Sequence, residues 1–226
     1  LLKKGSTKLS KLFNNSQVCQ MKNSKAIIFD LGGVILNINY QNTIDKFSKL
    51  GVKNASAFYS KKMQSDLFNQ IETGKITTEK FLSVLKKETN KTTIYQVEKA
   101  WNSMLLDLPK ERIVLLKKLS QDYPIFLLSN TNAIHISAIK EYLGESIYAN
   151  FYNLFNKVYY SHEIGFRKPN KEAFQLILKE NNLKANEVLF IDDSPQHIQG
   201  AKKLGIKTYH LKDQEEITTL FAGRVQ

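Results

Sequence analysis

The stretch Lys25-Ala-Ile-Ile-Phe-Asp-Leu31, closing on Gly32-Gly33, decides how the rest of the chain is read. Its β-branched and aromatic residues run without polar alternation, the pattern of a strand buried on both faces, and the glycine pair ends it in a tight turn. Similar runs follow at Tyr123-Pro-Ile-Phe-Leu-Leu-Ser129, Lys157-Val-Tyr-Tyr-Ser161, Val188-Leu-Phe-Ile-Asp192 and Lys207-Thr-Tyr-His-Leu211. Helical periodicity fills the intervals. Strands alternating with helices imply an α/β fold, a Rossmann-like parallel sheet with helices on both faces.

One interval is too long for a simple crossover. Roughly 90 residues separate the first two runs, where about a dozen suffice. Ile44 to Leu50, Lys61 to Ile71, Thr78 to Glu88 and Ile94 to Leu106 carry apolar residues at helical spacing, and no strand pattern intervenes. The spacing predicts a helical cap over residues 37–107, inserted after the first strand into a core formed by 21–36 and 108–226. It should stand above the carboxyl end of that strand, where open α/β sheets place their ligands. Within it, Glu72-Thr-Gly-Lys-Ile-Thr77 reads as a corner between helices, with Thr77 or Thr78 capping the next one. Trp101, Phe47, Phe58, Phe68 and Phe81 should mainly pack the insert.

Composition excludes several classes. At 226 residues and 42% hydrophobic, the chain can bury a full core, and no stretch approaches the 18 apolar residues of a membrane span. The single cysteine, Cys19, excludes a disulfide framework or multi-cysteine zinc site and points to a reducing, cytoplasmic setting. The formal charge of +12 suggests a polyanion partner until its position is noted. Lys3, Lys4, Lys8, Lys11, Lys22 and Lys25 carry half of it, without one acid, and residues 1–20 read as a disordered tail or extension ahead of Met21. Only Arg112, Arg167 and Arg224 are arginine, the residue that reads phosphate forks and base edges, so nucleic acid is not the expected partner.

The chemistry gathers where the strands end. Asp30 leaves the first, Ser129 and Asn130 the second, Lys168 follows the third in Gly165-Phe-Arg-Lys-Pro169, and Asp192 and Asp193 end the fourth. Each has an ordinary use when taken singly: Asp as a helix N-cap, Ser-Asn as a loop start, Lys-Pro as a helix start. Four of them at the same end of successive strands suit phosphoryl transfer. Carboxylates hold Mg²⁺ through oxygen, a carboxylate can attack phosphorus, and lysine with hydroxyl and amide groups balances the phosphoryl charge.

These motifs resemble those of the haloacid dehalogenase superfamily: Phe29-Asp-Leu-Gly-Gly-Val-Ile, Leu127-Leu-Ser-Asn-Thr-Asn, Arg167-Lys-Pro and Phe190-Ile-Asp-Asp-Ser-Pro, in order and each after an expected strand. The similarity spans residue 25 to about 222, and its wording is closest to the capped sugar-phosphate phosphatases similar to glucose-1-phosphatase. It implies a Mg²⁺-dependent phosphatase of small phosphorylated metabolites. Asp30 would be nucleophile and metal ligand, with the Gly32 carbonyl and Asp193 completing the protein's share of the metal site and Asp192 orienting it from behind. Ser129 and Asn130 would bind the phosphoryl group, and Lys168 would pair with Asp30 and the phosphate.

Two positions depart from the family pattern. The usual acid–base aspartate two residues after the nucleophile is Gly32, although the glucose-1-phosphatase branch also carries glycine there, and His197 stands where Asp or Asn is common. General acid–base help is typically worth about 10²–10⁴-fold, so Gly32 keeps open a slow enzyme, a phospho-ligand binding protein or a phosphomutase. A dehalogenase would leave Asp192 and Asp193 clustered beside Asp30 without a cation. His135 and His162 are expected at the surface or in loops, and His210 in a structural role.

Overall fold

A computed structural model describes residues 24–58 and 66–221. The expected extension over residues 1–20, Cys19 and Met21 lie outside the described residues, as does the Lys61 start of the second helical stretch. The apolar runs form one parallel sheet of β1 (Ala26–Phe29), β2 (Ile125–Ser129), β3 (Lys157–Tyr160), β4 (Val188–Asp192) and β5 (Lys207–His210), in the spatial order β3-β2-β1-β4-β5. β1 lies centrally, with Ile28 level with Phe126 on one side and Phe190 on the other. Because the chain builds outward from β1 to β3 and then restarts at β4 on the opposite side, a crevice opens beyond the carboxyl end of β1.

Between β1 and β2 come α1 (Tyr40–Lys49), α2 (Asp66–Glu72), α3 (Thr78–Lys86) and α4 (Ile94–Asn102), then α5 (Lys110–Asp122), which returns to the sheet. Local chemistry sets their starts. Asn39 caps α1 through Gln41 N, Thr77 caps α3 through Lys80 N, and Thr93 with Gln96 forms a capping box on α4. Among the described residues, α1 to α4 share a core that also takes in Ile134, in which Phe68, Phe81 and Trp101 meet edge-to-face with centroids 5.1–5.7 Å apart. Such pairs contribute about 0.5–1.5 kcal/mol each beyond the area they bury. The segments entering and leaving the insert run side by side, the Asn37 N–H donating to Asp107 O at 2.9 Å and the Leu106 N–H to Asn37 O at 3.0 Å.

Alternation along β1 divides the main core in two. Ile27 and Phe29 face α5, α6 (Ala133–Leu143) and α7 (Glu145–Tyr152); Ala26 and Ile28 face α9 (Lys171–Glu180) and α10 (Pro195–Lys202), with the single turn α8 (Ser161–Ile164) closing β3. Arginine appears where a rigid fork is needed: Arg112 of α5 donates to both carboxylate oxygens of Glu216 at 2.9 Å and to Ile35 O at 3.2 Å. No helix among the described residues is long and apolar enough to cross a membrane.

Candidate active site

Asp30 follows the last β1 residue, its backbone N–H tied to Ile191 O at 2.9 Å, so the carboxylate stands at the carboxyl edge of the sheet. One oxygen, Oδ1, accepts from the Leu31 N–H at 2.7 Å and lies 2.8 Å from Lys168 Nζ. Lys168 is fully buried, and its ammonium also reaches Asp192 Oδ2 at 2.6 Å. Asp192 is held in turn by the Ser194 N–H at 2.7 Å and by His197 Nδ1 at 3.0 and 3.1 Å from its two oxygens. The result is a buried chain, Asp30–Lys168–Asp192–His197. Asp192 therefore clamps the lysine, an office that strand-end position alone did not reveal.

Asn130 ties the loop that carries the lysine. Its side-chain amide donates to Lys168 O at 2.9 Å, its carbonyl oxygen accepts from Lys168 N at 2.8 Å, and His197 Nε2 lies 3.5 Å away. Ser129, at the end of β2, is buried and lines the same cleft as Asp30, Asn130 and Asp193. Asp193 sits over Gly33, whose φ of +75° and missing Cβ admit the carboxylate; a Cβ there would collide with it. His210 Nε2 lies 2.9 Å from the Asp193 carbonyl oxygen, which steadies the turn after β4.

The charges do not balance. Burial first, and then the Asp192 charge, push the Asp30 carboxyl well above its ordinary range against the opposing pull of Lys168. Burial and Asp192 likewise raise Asp193. Burial would also raise Asp192, but Lys168 and His197 outweigh it and hold that carboxyl far below the usual range. The same two carboxylates keep Lys168 protonated despite its burial. Burial lowers His197, which favours the neutral ring. Three carboxylates against one ammonium leave two negative charges in a partly buried cleft, and oxygen donors of that kind fit a hard divalent cation. Asp30, Asp192 and His197 also bring ligand atoms within 4.8 Å of one another, but the Lys168 ammonium already bridges those two carboxylates.

The cleft, of about 440 Å³, includes residues whose part the sequence did not disclose. From α2, Glu72 reaches over the edge and pairs with Arg167 at 2.9 Å, and Tyr40 stands at the start of α1 beside them. Burial and the nearby Asp193, Asp30 and Glu72 charges raise the Tyr40 phenol, so it remains a donor. Glu72 lay in a segment read as a corner, and Arg167 figured only as part of the Arg167-Lys-Pro motif, with no role of its own.

His135 corrects an expectation. It is not at the surface but buried in α6, its ring stacked on Trp101 with centroids 4.9 Å apart and planes 18° from parallel. The face of α6 that meets the insert leaves it only 7% exposed, at the inner wall of the cleft. Burial brings the imidazole down to about 4, against a hydrogen bond with the Trp101 backbone. The unfolded chain then binds the extra proton between pH 6.5 and about 4, and stability drops across that window as pH falls, by on the order of 3 kcal/mol from this group. His135→Gln should flatten the difference between urea unfolding curves at pH 7 and 4.5. An unchanged pH slope would exclude the account.

Comparison with known proteins agrees with this architecture. Residues 24–205 match the family model described as haloacid dehalogenase-like hydrolase. A D-ribitol-5-phosphate phosphatase of Bacteroides thetaiotaomicron is 29% identical over 87% of this chain and 98% of its own length. Among solved structures, a HAD family enzyme from Bacteroides thetaiotaomicron, in complex with magnesium and inorganic phosphate, superposes with a TM-score of 0.78 at 33% identity, covering 88% of this chain and 99% of that one. A HAD-like family hydrolase from Porphyromonas gingivalis gives 0.74 at 31% identity over 85% and 93% of the two chains. With four motifs in order on one sheet edge and a family model matching most of its length, the chain belongs to the haloacid dehalogenase-like hydrolases.

Proposed function

We propose that this hydrolase is a Mg²⁺-dependent phosphatase of small phosphorylated metabolites, sugar or polyol phosphates in particular, working through an aspartyl-phosphate on Asp30. The observation that carries the reading is the Asp30–Lys168–Asp192 chain facing one cleft with Asp193 seated on Gly33. The magnesium and phosphate bound by the similar HAD enzyme and the ribitol phosphate substrate in the name of the similar phosphatase support it. A cation held by Asp30, Asp193 and the Gly32 carbonyl would supply the two missing positive charges and polarise a phosphoryl oxygen.

Lys168 holds Asp30 in position and shares its charge with the incoming phosphoryl group. An Asp30 oxygen attacks phosphorus as the ester P–O bond breaks, and the departing alkoxide takes a proton from water, since Gly32 offers none. Water then attacks the acyl phosphate, the bond from phosphorus to the Asp30 oxygen breaks, and inorganic phosphate leaves with the free carboxylate restored. Ser129 binds the transferring group, Asn130 holds the Lys168 loop beside it through both ends of its side chain, and the helical insert over 37–107 limits access to small substrates.

Gly32 favours a second reading, slow turnover or phospho-ligand binding without it, because no side chain stands there to move a proton; a built Cβ would meet the Ile38 side chain, nearest at Cδ1, 3.2 Å away. The two readings part in one experiment. Phosphate release from an aryl phosphate and a panel of sugar and polyol phosphates, with and without Mg²⁺, should be metal-dependent and lost in Asp30→Asn. Binding without release across the panel would favour the second reading, and an isomerised sugar phosphate a phosphomutase. Gly33→Ala should raise the Mg²⁺ concentration for half-maximal rate about 10–100-fold by displacing the Asp193 carboxylate. An unaltered Mg²⁺ requirement would remove Asp193 from the metal site.

A further inference from the structure

Beyond the phosphoryl-binding end, the insert contributes Ile38, Tyr40, Glu72, Met104 and Leu105 to the cleft. Among the described residues, Glu72 and Tyr40 are the two of these with polar side chains. The Glu72 side chain is only 12% exposed, and its charge is met across the cleft by Arg167, whose side chain is 24% exposed. Arg167 belongs to the core loop and Glu72 to α2, so the pair forms only where insert and core approach. The Arg167 Nε–H is buried and has no hydrogen-bond partner among the described residues.

Resting on the phosphatase reading, we propose that Glu72, set against Arg167 and assisted by Tyr40, selects an uncharged polyhydroxyl leaving group and turns away one bearing a second anion. The physical reasons are three. A fixed carboxylate accepts from hydroxyl donors, and such charge-assisted bonds are about twice as strong as neutral ones. The apolar Ile38, Met104 and Leu105 suit the carbon face of a short polyol chain. A carboxylate or second phosphate on the substrate would meet the Glu72 charge in a site where burial weakens screening, because Glu72 already takes the Arg167 Nη2 group that would otherwise receive it. Discrimination thus comes from a repulsive element as well as an attractive one.

Kinetics on three probes test this: D-ribitol 5-phosphate, 3-phosphoglycerate and p-nitrophenyl phosphate, each with wild type, Glu72→Gln and Tyr40→Phe. The wild type should prefer the ribitol ester to the glycerate ester. Glu72→Gln removes the repelling charge and releases Arg167, so the ratio of their kcat/KM values should fall about tenfold or more, with the loss on ribitol phosphate exceeding that on the aryl ester. Tyr40→Phe leaves the ion pair in place and should reduce the ribitol ester alone relative to the aryl ester. Equal losses on all three probes in Glu72→Gln would mean that the pair only holds insert to core, and would overturn the inference while leaving the phosphatase reading intact. Absence of release from all three by the wild type would overturn both.

Discussion

Asp30→Asn should abolish turnover, lowering kcat by at least about 10⁴-fold, while the protein stays folded. The amide keeps the size and one acceptor oxygen of the carboxylate but cannot serve as the nucleophile at phosphorus. Losses from deleting a nucleophile reach about 10⁶-fold in enzymes where it acts within a coupled unit. The substitution also separates catalysis from folding by the sign of its stability effect. Burial and Asp192 hold the Asp30 carboxyl well above its ordinary range, so the ionised group is a burden on the native state above the unfolded value near 3.8. Replacing it with a neutral amide relieves that burden at neutral pH and leaves Lys168 to Asp192. Urea unfolding should accordingly show Asp30→Asn as stable as the wild type or more so without Mg²⁺, and the advantage should shrink as pH falls and the wild-type carboxyl takes its proton. Retained Mg²⁺-dependent phosphate release by this variant would refute Asp30 as nucleophile.

Lys168→Met should damage both stability and rate. The ammonium is fully buried between Asp30 at 2.8 Å and Asp192 at 2.6 Å, and the methionine side chain fills similar volume without charge. Removing one partner of a buried ionic network leaves the others uncompensated and costs about 3–5 kcal/mol. With two carboxylates then facing each other, one of them takes a proton more readily, so the deficit should be smaller at acidic than at neutral pH. Activity should fall by about 10²–10³-fold, the effect of losing one group that stabilises charge in the transition state. Denaturant unfolding at two pH values, with rates taken at a temperature where both proteins are folded, separates the two losses. A variant as stable as the wild type at neutral pH would show that Lys168 does not hold the carboxylates together.

Asp30 and Lys168 do different work in the site. Asp30, the proposed nucleophile, sits where the β1 backbone puts it. Lys168 also organises, through Asn130 on one side and Asp192 with His197 on the other, and its removal disturbs a network rather than one contact.

The strands and the polar residues at their ends were legible in the sequence because both obey local rules. An unbroken apolar run of four or five β-branched and aromatic residues between turn signals fits a strand covered on both faces, and a charged residue just past it emerges at the sheet edge. Helical spacing in the insert was legible for the same reason, as was the cap at Thr77. Partnerships were legible only where the family resemblance supplied them, as for Lys168 and Asp30. The bond from Asp192 to Lys168 spans 24 positions, and Glu72 finds Arg167 from a different structural unit. His135 reads as a loop-side histidine until α6 is packed on Trp101. Residue identity and short-range periodicity determined the fold class and the chemistry on offer; tertiary packing decided which carboxylate meets Lys168 behind Asp30, which histidine is buried and which acid pairs with Arg167, because desolvation and ion pairing depend on distances that chain order does not encode.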